Sequence, residues 1–145
     1  MRFMSKFAER LSELMLEHGL TNEKLAHGLN VDDGTVGCWR KNKHNISLHN
    51  ALKVADYFKC SLEFLVGRAK VELDFKLLPH RPFYERLRQI MAERNITWYR
   101  IVKDGIVSDC NLSVWKNGTE PYLETVIDIA DYFKLTLDQL VGRED

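Results

Sequence analysis

Ala55-Asp56-Tyr57-Phe58-Lys59 runs on to Leu65-Val66-Gly67-Arg68. The same pattern returns as Ala130-Asp131-Tyr132-Phe133-Lys134, running on to Leu140-Val141-Gly142-Arg143. Upstream, Phe7, Glu9, Arg10, Leu11, Met15, Glu17, Thr21, Val31, Asp33 and Trp39 recur as Phe83, Glu85, Arg86, Leu87, Met91, Glu93, Thr97, Val107, Asp109 and Trp115. The spacing between equivalent residues shortens by one after the Trp. The chain therefore reads as one helical unit written twice. A repeated unit implies a repeated contact with something that is itself periodic or two-fold.

Length and composition fit that reading. The 145 residues carry 45% hydrophobic and 29% charged side chains, which suits a globular protein and excludes a disordered one. Two domains are expected, 1–68 and 82–145, joined by a connector at 69–81. Each is near the lower size limit for independent folding. No apolar run is long enough to span a membrane, and Met1–Lys6 lacks the apolar core of a signal peptide. Cys38, Cys60 and Cys110 form no CxxC pair, so free thiols in a reducing cytoplasm are expected, with neither metal nor cofactor.

The net charge of zero hides an asymmetry. Residues 1–68 carry ten Lys/Arg against eight Asp/Glu, or +2; the connector carries three against two; residues 82–145 carry eight against eleven, or −3. A neutral whole is a poor footprint for a nucleic-acid binder, so the local distribution has to carry any such reading.

Apolar spacing predicts an all-α fold with five short helices in each unit. In the first they cover about 5–18, 22–29, 33–41, 48–58 and a last short turn ending at Gly67. Thr21, Asp32, Ser47 and Ser61 stand at N-cap positions, Gly19 stops the first helix, and Asn30 suits a left-handed turn. In the second they cover about 82–94, 98–104, 109–116, 122–133 and 137–141, with Pro82 in the first turn and Thr97, Ser108 and Thr136 as caps. In the connector, Val71-Glu72-Leu73-Asp74-Phe75-Lys76-Leu77 alternates apolar and charged residues, the period of a half-buried strand. A helical reading through Val71, Phe75 and Leu78 is the alternative. Either way it is no floppy linker, and it packs on a groove between the units or on a second copy.

Short helix, tight turn, short helix, each with a polar cap, is the helix-turn-helix plan. It runs from Thr21 to Trp39 and again from Thr97 to Gly118. The Leu25-Ala26 pair, Val31 in the turn and Trp39 are its internal pins. These residues, with Pro121, the Ile129-Ala130-Asp131-Tyr132-Phe133 helix and the Leu-Val-Gly ending, resemble the five-helix repressor family that includes the lambda and 434 phage repressors, the xenobiotic-response-element family. The resemblance covers nearly the whole chain except the connector. It implies that the third helix lies in the DNA major groove, whose width admits one helix.

The groove-facing residues implied for the first unit are Asp33, Gly34, Thr35, Gly37 and Cys38, with Arg40, Lys41 and Lys43 at the exit and Asn22 and Lys24 touching the backbone. Arg40–His44 is the densest basic cluster and suits phosphate contacts. In the second unit the positions are Ser108, Asp109, Cys110, Asn111, Ser113 and Val114, with Lys116 and Asn117 beyond. Ser113 and Asn111 suit base edges, and Val114 suits a thymine methyl. Departures from the family stand beside these. Asp32 and Asp33 sit where a phosphate would be welcomed. Gly34 and Gly37 weaken the helix. Ile106 takes the place of the turn Gly, which shifts the turn to Gly105, and Trp98 and Tyr99 stand as exposed aromatics.

Plainer readings apply elsewhere. Trp39 and Trp115 are core pins, and Glu9, Glu13 and Glu17 form a solvated helix face. No nucleophile with its base, Gly-rich phosphate loop or metal cluster is present, so no enzyme is expected. The expectation is a cytoplasmic, prokaryotic or phage transcription regulator, a repressor binding double-stranded DNA, alone or as a homodimer. The charge split assigns DNA to the first unit and assembly to the second, with Phe64 and the connector as contact candidates. The rival is a protein-interaction or oligomerisation module built on helix-turn-helix units that have lost their basic face.

Overall fold

The computed structural model describes residues 6–41, 46–68 and 82–142. The chain divides into two compact units, Met1–Asp74 and Phe75–Asp145. The described residues form ten α-helices and no sheet, five helices to each unit. The strand expected at 71–77 lies outside the described residues.

In the first unit the helices are α1 (Phe7–Glu17), α2 (Asn22–Leu29), α3 (Asp33–Arg40), α4 (Leu48–Phe58) and α5 (Leu62–Leu65). Helix α1 buries Phe7, Leu11, Leu14 and Met15 along one stripe, as its apolar spacing requires. Gly19 then takes a left-handed φ of 63° and turns the chain into Thr21, whose hydroxyl accepts from the Lys24 amide at 3.2 Å. Asn30 adopts φ 59°, ψ 47° and ends α2. Asp32 occupies the N-cap of α3, but its side chain makes no capping bond. Ser47 and Ser61 cap α4 and α5 through the amides of Asn50 and Phe64. The core pin expected at Trp39 is buried, with Phe7 edge-on to it at 6.3 Å.

The second unit has α6 (Phe83–Glu93), α7 (Trp98–Lys103), α8 (Asp109–Lys116), α9 (Leu123–Phe133) and α10 (Leu137–Val141). Pro82 is its N-cap rather than its first helical residue. Trp115 is buried beneath Phe83 and Trp98, edge-on to both at 5.3 and 5.8 Å. The turn does shift. Helix α7 stops at Lys103, and Gly105 supplies the positive φ of 79°. This turn, 104–108, is longer than the 30–32 turn of the first unit, because Ile106 cannot take the left-handed conformation without strain.

Both units close in the same way. Arg10 donates from Nε to the Phe64 carbonyl at 3.1 Å, and its guanidinium lies 4.2 Å from the Phe64 ring centroid. Its equivalent Arg86 donates from Nη2 to the Gln139 carbonyl at 2.9 Å. Each arginine ties the first helix of its unit to the last. Phe64, expected to be exposed, is half-buried beneath Arg10.

Candidate nucleic-acid interface

In the first unit α2 and α3 pack against each other across the 30–32 turn, and α1 supports α3 from behind. Val36 and Trp39 anchor α3 inward. The rest of the helix is then turned outward to different degrees. Asp33, Gly34, Arg40 and Lys41 are exposed, and Thr35, Gly37 and Cys38 are half-buried. On α2, Lys24 is exposed and Asn22 is half-buried. Lys43 lies outside the described residues. Of the site residues expected in the first unit, the packing of α2 on α3 brings Asn22, Gly37 and Arg40 together.

One linkage on that surface was not visible in the sequence. Arg40 donates from Nε to Ser12 Oγ at 3.2 Å and from Nη1 to Asn22 Oδ1 at 2.7 Å. It therefore joins the C-terminal end of α3 to α1 and to the first residue of α2. Ser12 carried no signal of its own, because only the fold brings it beside a residue so far along the chain.

The N-terminal end of α3 is different. Asp32 and Asp33 are both exposed there. Carboxylates satisfy the positive end of the helix dipole from within the protein, and they repel a phosphate approaching the same point.

In the second unit Ser108, Cys110, Ser113, Lys116 and Asn117 are exposed on α8, and Val114 is 43% exposed. Asn111 is half-buried and turned back on its own helix, with Oδ1 accepting from the Ser108 amide at 2.9 Å and the Ser108 hydroxyl at 3.0 Å. Its carboxamide oxygen is thereby committed to capping, so of this side chain only Nδ2 is left to donate outward, while Ser113 is exposed. Trp98, expected to be exposed, is half-buried against Trp115, and its Nε1 is buried without a hydrogen-bond partner. Tyr99 is exposed as expected, at 72%, and Tyr122 at the N-cap of α9 is 57% exposed.

Behind this face, Tyr132 donates its hydroxyl to Asp104 Oδ2 at 2.8 Å, and Arg100 Nε donates to the same oxygen at 3.2 Å. The Tyr132 hydrogen bond, followed by the Arg100 charge, holds the Asp104 carboxyl below the usual carboxylate range. The Asp104 bond in turn raises the Tyr132 phenol. In the first unit the equivalent place is Gly28, where the Tyr57 ring comes so close that a Cβ would lie 2.7 Å from it.

Two family models match. The model described as helix-turn-helix covers residues 11–65, and the model described as a Cro/C1-type helix-turn-helix DNA-binding domain covers residues 86–145. The chain consists of two tandem domains of the xenobiotic-response-element helix-turn-helix family. Both domains belong to a DNA-binding regulator class. The crystal structure of a transcriptional regulator from Listeria innocua is similar at 25% identity, covering 77% of this chain and 97% of that one with a TM-score of 0.44. No curated protein matches the chain. Among the described residues, no helix is long and apolar enough to cross a membrane, and no group of three or more His, Cys, Asp or Glu side chains could hold a metal ion.

Proposed function

We propose that the protein is a sequence-specific repressor of transcription, in which the first domain holds double-stranded DNA with α3 in the major groove. The second domain contributes mainly to assembly, as a homodimer that presents two strong readers to a two-fold site. Half-sites about 34 Å apart would suit such a dimer. A prokaryotic or phage protein working in the cytoplasm fits this reading.

The observation that supports it best is the contrast between equivalent positions. The first domain presents exposed Lys24, Arg40 and Lys41; the second keeps exposed cations, Arg100 and Lys116, at the first two of these, but Arg100 is bonded to Asp104 and Asn117 replaces Lys41. Where the first domain has Asn22 and Glu23, the second has a sequestered Trp98 and an exposed Tyr99. Cations and amide donors suit phosphate oxygens; aromatic faces suit protein.

A salt titration tests this reading. Binding to a pool of random-sequence duplexes is followed by anisotropy, and the tightest sequences are recovered. A groove binder that neutralises several phosphates loses affinity steeply with salt, with a log–log slope of about −0.9 per phosphate. Recovery of one sequence pattern from the pool supports specific readout. A second reading rests on the exposed Tyr99, Val114 and Tyr122, which favour protein docking by the second domain. If no duplex is bound even at low salt, that rival takes over for the whole chain.

A further inference from the structure

We infer that Arg40 is a positioning residue: it locks the Asn22 carboxamide with its oxygen inward, so that the amide hydrogens face a DNA phosphate. The inference rests on the proposed DNA-binding role and deepens it. A guanidinium can only donate hydrogen bonds, whereas a carboxamide can present either its oxygen or its nitrogen. With Nη1 of Arg40 donating to Oδ1 of Asn22 at 2.7 Å, the acceptor end of Asn22 is occupied. The Nδ2 end is the one left to meet a ligand. A ligand recognised by donors alone is an anion, and a phosphodiester oxygen fits.

The lock is itself held. Arg40 Nε donates to Ser12 Oγ at 3.2 Å, so the guanidinium plane is fixed from α1 while it reaches α2. Ordering Asn22 before DNA arrives removes a cost that binding would otherwise bear. Asn22 Nδ2 lies near α3, since a Cβ at Gly37 would sit 3.6 Å from it, at ordinary contact distance.

The second domain has no such device. Arg88, Trp98 and Lys116 occupy the positions of Ser12, Asn22 and Arg40. Trp98 carries one donor, and that donor is buried.

A double-mutant cycle on the full chain tests the inference. Duplex affinity is measured for Asn22→Ala, Arg40→Ala and the double variant, with circular dichroism melts alongside. Each single substitution should weaken binding about tenfold, and the double should be no weaker than either alone, because coupled residues are not additive. Arg40→Lys should recover part of the loss, since an ammonium can donate to Asn22 but not hold the same plane. Asn22→Asp keeps an acceptor for Arg40 and turns a carboxylate oxygen outward; it should melt no lower than wild type and bind more weakly than Asn22→Ala. Should Arg40→Ala fail to fold, Arg40→Lys takes its place in the cycle, and its residual loss should vanish in an Asn22→Ala background. Additive losses, or wild-type affinity in Asn22→Asp, overturn the inference while leaving DNA binding intact. Absence of duplex binding by the wild-type chain overturns both.

Discussion

Asp33 begins the α3 helix with a carboxylate at its positive end, and this single residue sets two effects against each other. Inside the protein the charge stabilises the helix terminus by about 0.3–1 kcal/mol. Towards DNA it repels phosphate. Asp33→Asn should therefore lower the urea midpoint slightly and raise duplex affinity several-fold, with opposite signs in the two assays. Tyr132 offers a second residue-scale test. Its bond to Asp104 lowers the Asp104 pKa, so that contribution is present above the unfolded carboxylate pKa and is lost as pH falls through the depressed folded value. The raised Tyr132 pKa contributes below the unfolded phenol pKa and is lost as pH rises through the folded value. Tyr132→Phe should thus be less stable than wild type near neutrality, with the difference shrinking at both acid and alkaline extremes. Urea midpoints measured across pH would show it. A constant difference would mean the hydroxyl is not coupled to Asp104.

At the scale of elements, the third helix of each domain, α3 and α8, is held by a tryptophan on its own inner side. Trp39 meets Phe7 edge-on, while Trp115 meets both Phe83 and Trp98. Truncating either removes a large buried side chain, at a cost of about 3–5 kcal/mol. Trp115→Ala should cost more than Trp39→Ala, because two aromatic contacts are lost rather than one. Denaturant melts of the two variants compare them directly. The helix ends were legible as well. Thr21, Ser47, Ser61, Thr97 and Thr136 each accept a backbone amide as their types at those positions require. The capping use of Asn111 was not legible, because a carboxamide three residues after Ser108 can turn either outward or back. Nor was the sequestering of Trp98, since its place at the start of α7 looks solvent-facing until Trp115 is packed beside it.

At the scale of the molecule, a net charge of zero is the sum of two unlike domains. If the first domain carries the phosphate contacts, Lys24→Ala and Lys41→Ala should each reduce the salt slope by about one. In the second domain Arg100→Ala, at the position of Lys24, and Lys116→Ala, beside the Asn117 that stands in place of Lys41, should leave the slope nearly unchanged. An equal fall from both sets would mean that both domains hold DNA and that the division of labour is wrong.

The sequence by itself determined that there are two domains of five helices, where most helices begin and end, and that Leu25, Ala26, Trp39 and Trp115 are core pins, though Val31, read as another, is only half-buried. These are local matters: apolar period, cap chemistry and the few residues that tolerate a left-handed turn act over neighbouring positions, and the repeat states them twice. Only the tertiary structure decided that Ser12, Asn22 and Arg40 form one linked group, that Phe64 lies under Arg10, and that Trp98 turns its donor inward. Those outcomes depend on which helices the packing brings together, and no spacing along a chain encodes a hydrogen bond between residues from three separate helices.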